Sequence, residues 1–171
     1  MKSNTKIFLI GTMGSGKSSI GKLLAKTINY NFYDLDKIIE QKNNCKISEI
    51  FEKHGEDYFR QLETSVLSKY IDANDAVIST GGGCVIKECN HHVLKQGLVV
   101  YLKISVEAQY DRIKNRTHRP LFKNSDSISV LKIINEKRNP IYEKLSDIII
   151  DVSELDKEDI ISEITMRIKK L

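Results

Sequence analysis

The sequence predicts an α/β fold whose mostly parallel sheet is covered by helices on both faces. Short apolar runs alternate with segments of helical periodicity along the 171 residues, and this alternation builds parallel sheets. The runs Lys6–Ile10, Ala76–Ser79 and Leu98–Lys103 are short enough to be buried strands. Polar or glycine-rich residues follow several runs, and ligands of such sheets bind at the carboxyl ends of the strands.

The first strand leads into a phosphate-binding loop. Residues 11–18 read Gly-Thr-Met-Gly-Ser-Gly-Lys-Ser and match G-x-x-x-x-G-K-[ST], in which backbone amides surround phosphate oxygens. Gly14 and Gly16 leave room for that close approach, because they lack a Cβ. Lys17 supplies a cation for the outer phosphates, and the hydroxyl of Ser18 can bind Mg²⁺. The loop and the positive end of the helix after it predict binding of a nucleoside triphosphate.

The elements of the first half follow from periodicity and capping residues. A strand is expected at Asn31–Asp34, and Asp36 is expected to cap the helix after it. Ser48 is expected to cap a further helix, and a longer helix should run from Glu56 to Tyr70. The inward face of this longer helix should carry Phe59, Leu62, Val66 and Tyr70.

The second half continues the alternation. Helices are expected at about residues 87–95, from Ser105 and from about Ser129, with a polar, irregular segment at 114–126 between the last two. The buried side of the helix from Ser105 should carry Val106, Tyr110 and Ile113. A last strand at Ile148–Val152 precedes a final helix. That helix has one apolar stripe, formed by Ile160, Ile161, Ile164 and Ile168.

Composition excludes several classes of protein. A net charge of +4 suits anionic small-molecule ligands but is too small to indicate nucleic-acid binding. Cys45, Cys84 and Cys89 include no C-x-x-C pair, which indicates reduced thiols in the cytosol rather than disulfides or a zinc site. No run approaches the roughly 20 apolar residues of a membrane span, and the N-terminal run is too short for a signal peptide. Without a linker, residues 1–171 are expected to form a single domain.

The motifs also narrow the class of nucleotide-binding protein. A GTPase would need D-x-x-G and N-K-x-D motifs, and neither string occurs. The usual acid at the end of a neighbouring apolar strand is missing from Val77–Thr80. Asp34 is therefore the nearest candidate for the acid beside the metal.

Six segments together resemble the shikimate kinase family. They are the phosphate loop, Asp34-Leu-Asp36, residues 55–63, Gly81–Gly83, residues 116–121 and residues 138–142. They occur in the order and at spacings typical of that family, and the resemblance covers nearly the whole chain. The resemblance implies a three-layer sandwich of the P-loop NTPase type, with a five-stranded parallel sheet in the order 2-3-1-4-5. It also implies a lid at about 114–126 and a substrate-binding helical region at about 34–63.

The same resemblance implies an activity and an acceptor site. The reaction would transfer the γ-phosphoryl group of ATP to the 3-hydroxyl of shikimate, with Mg²⁺, on the route to chorismate and the aromatic amino acids. Asp36 would accept hydrogen bonds from the hydroxyls and act as a base or a positioner. Arg60 and Arg138 would hold the carboxylate, because a guanidinium fork matches a planar anion. The substrate would also contact Gly81, Gly82 and Gly83. The backbone of Gly82, which carries no side chain, would lie against the ring.

The implied nucleotide site extends beyond the loop. Lys17 would span the outer phosphates as a catalytic residue, and Arg119, on the lid, would stabilise charge in the transition state. Arg112 would stack on adenine. Other loop contacts would come from Gly14, Ser15, Gly16, Ser18 and Ser19. The metal would be bound by Ser18, with Asp34 behind a water.

The chain differs from the family pattern in one place, after the last strand. The family often has a proline a few residues beyond the last strand, and Asp151–Asp156 has none, which leaves the adenine contact at Val152 open. The family habit implies a cytoplasmic monomer without a nucleic-acid or membrane partner.

Two other functions remain open alongside this one. The chain could be another kinase of the same fold, acting on gluconate or a nucleoside monophosphate, although Asp36, Arg60 and Arg138 describe an acceptor with hydroxyls and a carboxylate. It could also be a non-catalytic relic, although a relic would be expected to lose Lys17, Asp36 or Arg119.

Plainer interpretations also exist for the individual acceptor residues. Asp36 could be only a helix cap, Arg60 a surface ion pair with Glu56 or Glu63, and Arg138 a cation at a helix end.

Overall fold

The computed structural model describes residues 5–114 and 127–170 of the chain. Within them lies one five-stranded parallel sheet in the order β2-β3-β1-β4-β5, which confirms the topology that the resemblance implied. The strands are β1 (Lys6–Ile10), β2 (Asn31–Asp34), β3 (Ala76–Ser79), β4 (Leu98–Lys103) and β5 (Ile148–Asp151). The helices are α1 (Lys17–Ile28), α2 (Leu35–Asn43), α3 (Ile47–Ser68), α4 (Glu88–Leu94), α5 (Val106–Ile113), α6 (Ser127–Leu145) and α7 (Lys157–Ile168).

The central strand β1 is buried on both faces, which explains why it reads as a continuous apolar run. Successive side chains of a strand point to opposite faces of the sheet. Ile7 and Leu9 accordingly pack with α1 and α7, whereas Phe8 and Ile10 pack with helices α2, α3, α4 and α6. The four isoleucines predicted to form the stripe of the final helix are all buried in the first of these two cores.

The helix caps differ from two predictions. Asp34, not Asp36, caps α2, because its backbone is still extended and its Oδ1 accepts a hydrogen bond from the amide of Lys37 at 3.3 Å. Asp36 lies in the first turn, so the prediction that it caps the helix was wrong. Ser48 is likewise inside the first turn of α3, whose N-cap position is occupied by Lys46.

Helix α3 is longer than predicted and is kinked. Gly55 interrupts it with φ 80° and ψ 176°, a conformation that is essentially restricted to glycine. The segment after the kink corresponds to the helix predicted from Glu56, but it ends at Ser68, so Tyr70 lies outside it and is only half-buried. Phe59 and Val66 are buried as predicted.

Helix α5 begins as predicted but buries a different face. The hydroxyl of Ser105 accepts a hydrogen bond from the amide of Ala108 at 3.2 Å and caps the helix. Ile113 is buried as predicted, but the second buried residue is Gln109, whereas Val106 and Tyr110 are only half-buried. Apolar periodicity misplaced the face because it gave no weight to the buried glutamine.

Two further observations delimit the architecture. The predicted lid at 114–126, apart from Lys114, and the catalytic candidate Arg119 lie outside the described residues. None of the helices in residues 5–114 and 127–170 has both the length and the apolar character needed to span a membrane.

Candidate active site

Three polar features meet at one edge of the sheet, because β1, β2 and β3 are adjacent and parallel. The phosphate loop follows β1, Asp34 ends β2, and the glycine triplet Gly81–Gly83 follows β3. The contact between the first and last of these is direct. A Cβ placed on Gly82 would lie 3.3 Å from the backbone nitrogen of Met13 in the phosphate loop.

The phosphate loop needs glycine for both conformation and space. Gly14 and Gly16 have φ of 81° and 90°, values that side chains disfavour. A Cβ on Gly14 would also come within 2.9 Å of Cγ2 of Ile113. The Nζ of Lys17 donates to the carbonyls of Gly11 and Thr12 at 2.8 and 2.9 Å, so its ammonium group lies across the loop. This geometry agrees with the predicted phosphate cradle.

The N-terminus of α1 has the properties of an anion site. No side chain caps it, and its first turn carries no acidic residue, so its backbone amides and dipole can act on a bound anion. Ser15 is fully buried in this loop, and its Oγ has no hydrogen-bond partner among the described residues. Ser18 and Ser19 are exposed, and Ser19 donates to the carbonyl of Gly16 at 3.0 Å.

The predicted metal ligands offer the right donor chemistry without forming a closed protein site. Asp34 presents a buried carboxylate, one oxygen of which is used to cap α2. Ser18 presents an exposed hydroxyl in the first turn of α1. Within the described part of the chain, no group of three or more His, Cys, Asp and Glu residues could hold a metal ion. Such an open set of oxygen donors suits Mg²⁺, which keeps several waters and phosphate oxygens as ligands.

The three acceptor candidates converge on the glycine triplet. Oδ1 of Asp36 lies 2.8 Å from the position that a Cβ on Gly81 would take. The guanidinium of Arg60 fills the corresponding space at Gly83, where Nη2 would be 2.2 Å from a Cβ. Nη1 of Arg138 donates to the carbonyl of Gly82 at 3.4 Å. A carboxylate and two guanidiniums are thus brought together from three different helices.

Arg60 forms ion pairs, but it is not a surface residue. It donates to Glu63 at 2.8 Å and to Glu56 at 2.9 Å, and its exposed fraction is only 8%. Glu63 is completely buried, whereas Glu56 is exposed. Arg138 lies well inside α6, so the interpretation as a helix-end cation is also wrong.

Glu63 is a functional candidate that the sequence analysis did not select. Its Oε1 would be 2.1 Å from a Cβ on Gly81, and this oxygen has no hydrogen-bond partner among the described residues. Burial raises the pKa of Glu63, Arg60 and Arg138 lower it, Asp36 raises it further, and the net direction is upward. Its spacing of three residues from Arg60 was the available signal, but that spacing is also common in surface ion pairs.

Tyr142 is a second candidate that was missed. Its hydroxyl donates to the carbonyl of Gly82, and its ring stacks on Tyr101 with centroids 4.9 Å apart. Burial raises the pKa of Tyr142, which keeps the hydroxyl protonated and able to donate. Because Tyr142 lies four residues after Arg138 on α6, both side chains reach the same glycine.

The adenine candidates lie together at the end of β5. Arg112 donates to the carbonyls of Val152 and Ser153 at 2.5 and 3.3 Å. Val152 is buried. No proline occurs in residues 151–156, where the family often has one. Because Val152 directly follows β5, the pair formed by Arg112 and Val152 also lies at the carboxyl ends of the strands.

Comparison with known proteins gives a consistent result. A family model described as shikimate kinase matches residues 13–169 of the chain. A curated shikimate kinase from Rippkaea orientalis is 42% identical over 158 residues, which cover 92% of this chain and 84% of that protein. A curated shikimate kinase from Sulfurihydrogenibium sp. is 41% identical over 165 residues, covering 96% and 98%.

Solved structures agree with these matches. A shikimate kinase from Acinetobacter baumannii, solved in complex with shikimate, matches with a TM-score of 0.93 and 34% identity over 98% of this chain and 94% of that one. A gluconokinase from Sinorhizobium meliloti matches with a TM-score of 0.59 and 18% identity over 94% and 89%. The second likeness shows the fold alone.

Proposed function

The chain belongs to the shikimate kinase family, and from that premise we propose which residues transfer the γ-phosphoryl group of ATP to the 3-hydroxyl of shikimate. The observation that carries the proposal is the meeting of Asp36, Arg60 and Arg138 around Gly81–Gly83, next to the phosphate loop. A carboxylate and two guanidiniums complement a small acceptor that has hydroxyls at one end and a carboxylate at the other.

Arg60 and Arg138 would bind the acceptor carboxylate. Arg60 is held on one side by buried Glu63, while its second partner, Glu56, is exposed and can be replaced by an incoming anion. Arg138 is tied to the Gly82 carbonyl through Nη1. Both guanidiniums are therefore oriented before the substrate binds, which reduces the entropy lost on binding.

Asp36 would accept the proton of the attacking hydroxyl or hold that hydroxyl in line with the γ-phosphate. The new O–P bond forms as the bond from the γ-phosphorus to the bridging oxygen of ADP breaks, and the hydroxyl proton passes to the carboxylate or to water. Phosphoryl transfer is catalysed mainly by positioning the reacting groups. Asp36 would therefore raise the rate of transfer substantially whether it accepts the proton or only orients the hydroxyl.

The nucleotide would bind in the phosphate loop. Gly14, Ser15, Gly16, Lys17, Ser18 and Ser19 would contact the phosphates, and Arg112 would pack on adenine near Val152. Bound Mg²⁺, held through Ser18 and an Asp34-linked water, would neutralise charge on the outer phosphates. Arg119, outside the described residues, would complete the site as the lid arginine and would stabilise the transition state.

The broader description of the protein is proposed on the same basis. Residues 1–171 would act as one catalytic domain, with the lid at about 114–126 and the substrate-binding region at about 34–63. Its three cysteines are free thiols, which supports a reducing cytoplasmic location. The described candidates for both substrates come from a single chain, so a monomer would carry both sites; we propose that the protein acts as a monomer without nucleic-acid or membrane partners.

A panel of acceptors tests this function. ADP release would be measured with Mg²⁺-ATP and shikimate, gluconate or a nucleoside monophosphate, using Lys17→Ala as the inactive control. Among these acceptors, we expect only shikimate to be phosphorylated. Turnover of gluconate or a nucleotide with shikimate ignored would establish the other kinase class, and equal rates with and without shikimate would favour the relic.

A further inference from the structure

Gln109 is a completely buried polar residue for which the proposed mechanism has no role. It lies on the inward face of α5 with an exposed fraction of 0%. Its Nε2 donates to the backbone carbonyl of Met13, in the phosphate loop, at 2.9 Å. These two residues are 96 positions apart in the chain. A buried amide that reaches so far across the sequence to one loop carbonyl determines where that carbonyl points.

The other end of the Gln109 amide is also held. Its Oε1 accepts a hydrogen bond from Nδ2 of Asn135 at 2.9 Å. Asn135 belongs to α6 and is 4% exposed. The bond from Asn135 fixes which end of the Gln109 amide faces the loop, because a flipped amide would bring two oxygens together at Met13 and two NH₂ groups together at Asn135.

Peptide geometry links this contact to phosphate binding. The peptide bond between Met13 and Gly14 is planar and trans, so the Met13 carbonyl and the Gly14 N–H point in opposite directions. With the carbonyl bound to Gln109 on the side of α5, the Gly14 N–H must point away from α5. The side chain of Gln109 also packs against Gly14, where a Cβ would be 3.6 Å from its Cγ. The buried glutamine therefore sets the direction of a loop amide in the phosphate-binding motif.

We propose that Gln109 is a positioning residue for the triphosphate, held in orientation by Asn135, and that it fixes the Met13–Gly14 peptide with its N–H available to phosphate oxygens. The proposal deepens the proposed function and rests on it only in that the loop binds ATP. Asn135 lies three residues before Arg138, so the same helix supports the phosphate loop and the acceptor site.

Gln109→Met tests the proposal, since methionine has a similar length and no amide. Affinity for a non-hydrolysable ATP analogue with Mg²⁺ would be measured by calorimetry without acceptor, and affinity for shikimate would be measured without nucleotide. We expect about a tenfold loss for the analogue, because an unpaired carbonyl allows the peptide to rotate, and less than about a twofold change for shikimate. Gln96→Met, the same change at an exposed position, should alter neither affinity.

A second variant tests the relay and guards against misfolding. Asn135→Leu removes the donor to Gln109 and should weaken analogue binding by about threefold, and the double variant should bind as Gln109→Met alone does. Unchanged analogue affinity in Gln109→Met, equal losses for both ligands, or additive effects in the double variant would overturn the proposal. Failure of both single variants to fold would do so too, because the amides would then serve packing alone.

These outcomes are separate from those of the acceptor panel. If the parent protein binds the analogue but does not phosphorylate shikimate, the proposed function fails, while the comparison of Gln109 variants retains its meaning.

Discussion

Asp36 is the residue whose position most directly constrains the chemistry. Its carboxylate lies against Gly81, close to buried Glu63 and to the arginines that would hold the acceptor. The N-cap of α2 is Asp34, so Asp36 is not needed to cap this helix. Substitution of Asp36 should therefore affect the reaction much more than the fold.

Asp36→Asn should lower kcat by roughly 10²–10⁴-fold, because the amide can neither accept the hydroxyl proton nor orient the hydroxyl in the same way. The affinity for ATP should stay within about twofold. Steady-state kinetics and calorimetric nucleotide binding check both expectations. Retained turnover would show that Asp36 neither accepts the proton nor positions the hydroxyl.

Glu63 should make stability depend on pH in a predictable direction. Its pKa is raised mainly by burial, so its folded pKa exceeds the unfolded one. The favourable contribution of the protonated form is present below the unfolded pKa and is lost as pH rises through the folded pKa. Glu63→Gln should thus gain unfolding free energy relative to the parent as the pH rises above the ordinary pKa of a glutamate and through the raised pKa of Glu63.

Urea denaturation at a series of pH values measures this difference. Glu52→Gln, an exposed change on the same helix, serves as the control and should show a flat difference. A difference that moves the other way with pH would mean that the ion pair with Arg60 outweighs the cost of burial.

At the scale of elements, the start of helix α2 depends on a carboxylate, that of Asp34, for which we propose a second role in the metal site. Asp34 caps the helix and is also the proposed outer acid of the metal site. Asparagine caps helices about as well as aspartate, whereas alanine does not. Substituting Asp34 by asparagine and by alanine can therefore distinguish a loss of stability from a loss of activity.

Asp34→Asn should keep the unfolding free energy within about 0.5 kcal/mol of the parent and raise the Mg²⁺ concentration needed for half-maximal activity. Asp34→Ala should show the same change in Mg²⁺ dependence and lose about 1 kcal/mol of stability as well. Denaturation and metal titrations measure the two effects. An unaltered Mg²⁺ requirement in both variants would remove Asp34 from the metal site.

The kink of α3 is the second feature at this scale. Gly55 has φ 80° and ψ 176°, and a Cβ there would meet no atom within 4 Å. Gly55→Ala should therefore destabilise the protein by about 1–3 kcal/mol through backbone strain alone, as measured by urea denaturation. Ser65→Ala, an exposed change on the same helix, should stay within about 0.5 kcal/mol. Equal stability of the two variants would mean that the kink straightens at little cost.

At the scale of the whole molecule, both proposed substrate sites depend on the same sheet edge and on contacts among helices that are distant in sequence. Binding at either site stabilises the folded state by mass action, because the unfolded chain has neither site. A ligand at 100 times its Kd adds about 2.7 kcal/mol, which corresponds to a rise in Tm of about 5–10 °C for a chain of this size.

Saturating shikimate and saturating Mg²⁺-ATP analogue should each raise Tm by about this amount, and gluconate should not. Differential scanning calorimetry of the parent protein measures all three shifts. A shift with gluconate as large as that with shikimate would contradict the acceptor site described here.

Periodicity and backbone requirements made much of this molecule predictable. Local patterns predicted all five strands, the phosphate loop, the start of α5 at Ser105 and the stripe of α7, since burial on one face and positive φ restrict which residues can occupy a position. The caps at Asp36 and Ser48 were mispredicted because several nearby polar residues could start the same helix. For helix α5, Ile113 was placed correctly, but Val106 and Tyr110 were predicted on the buried side because apolar periodicity does not reveal that the polar Gln109 is buried.

The sequence by itself determined the fold class and the phosphate loop, and through the family resemblance it named the charged residues that we propose for the acceptor site. Only the tertiary structure decided that Glu63 lies under Gly81, that Tyr142 bonds to Gly82 and that Gln109 holds Met13. Such contacts join residues that no local pattern relates. They exist because the packing of helices on the sheet brings those side chains together, and a buried polar group is stable there only when it finds a partner.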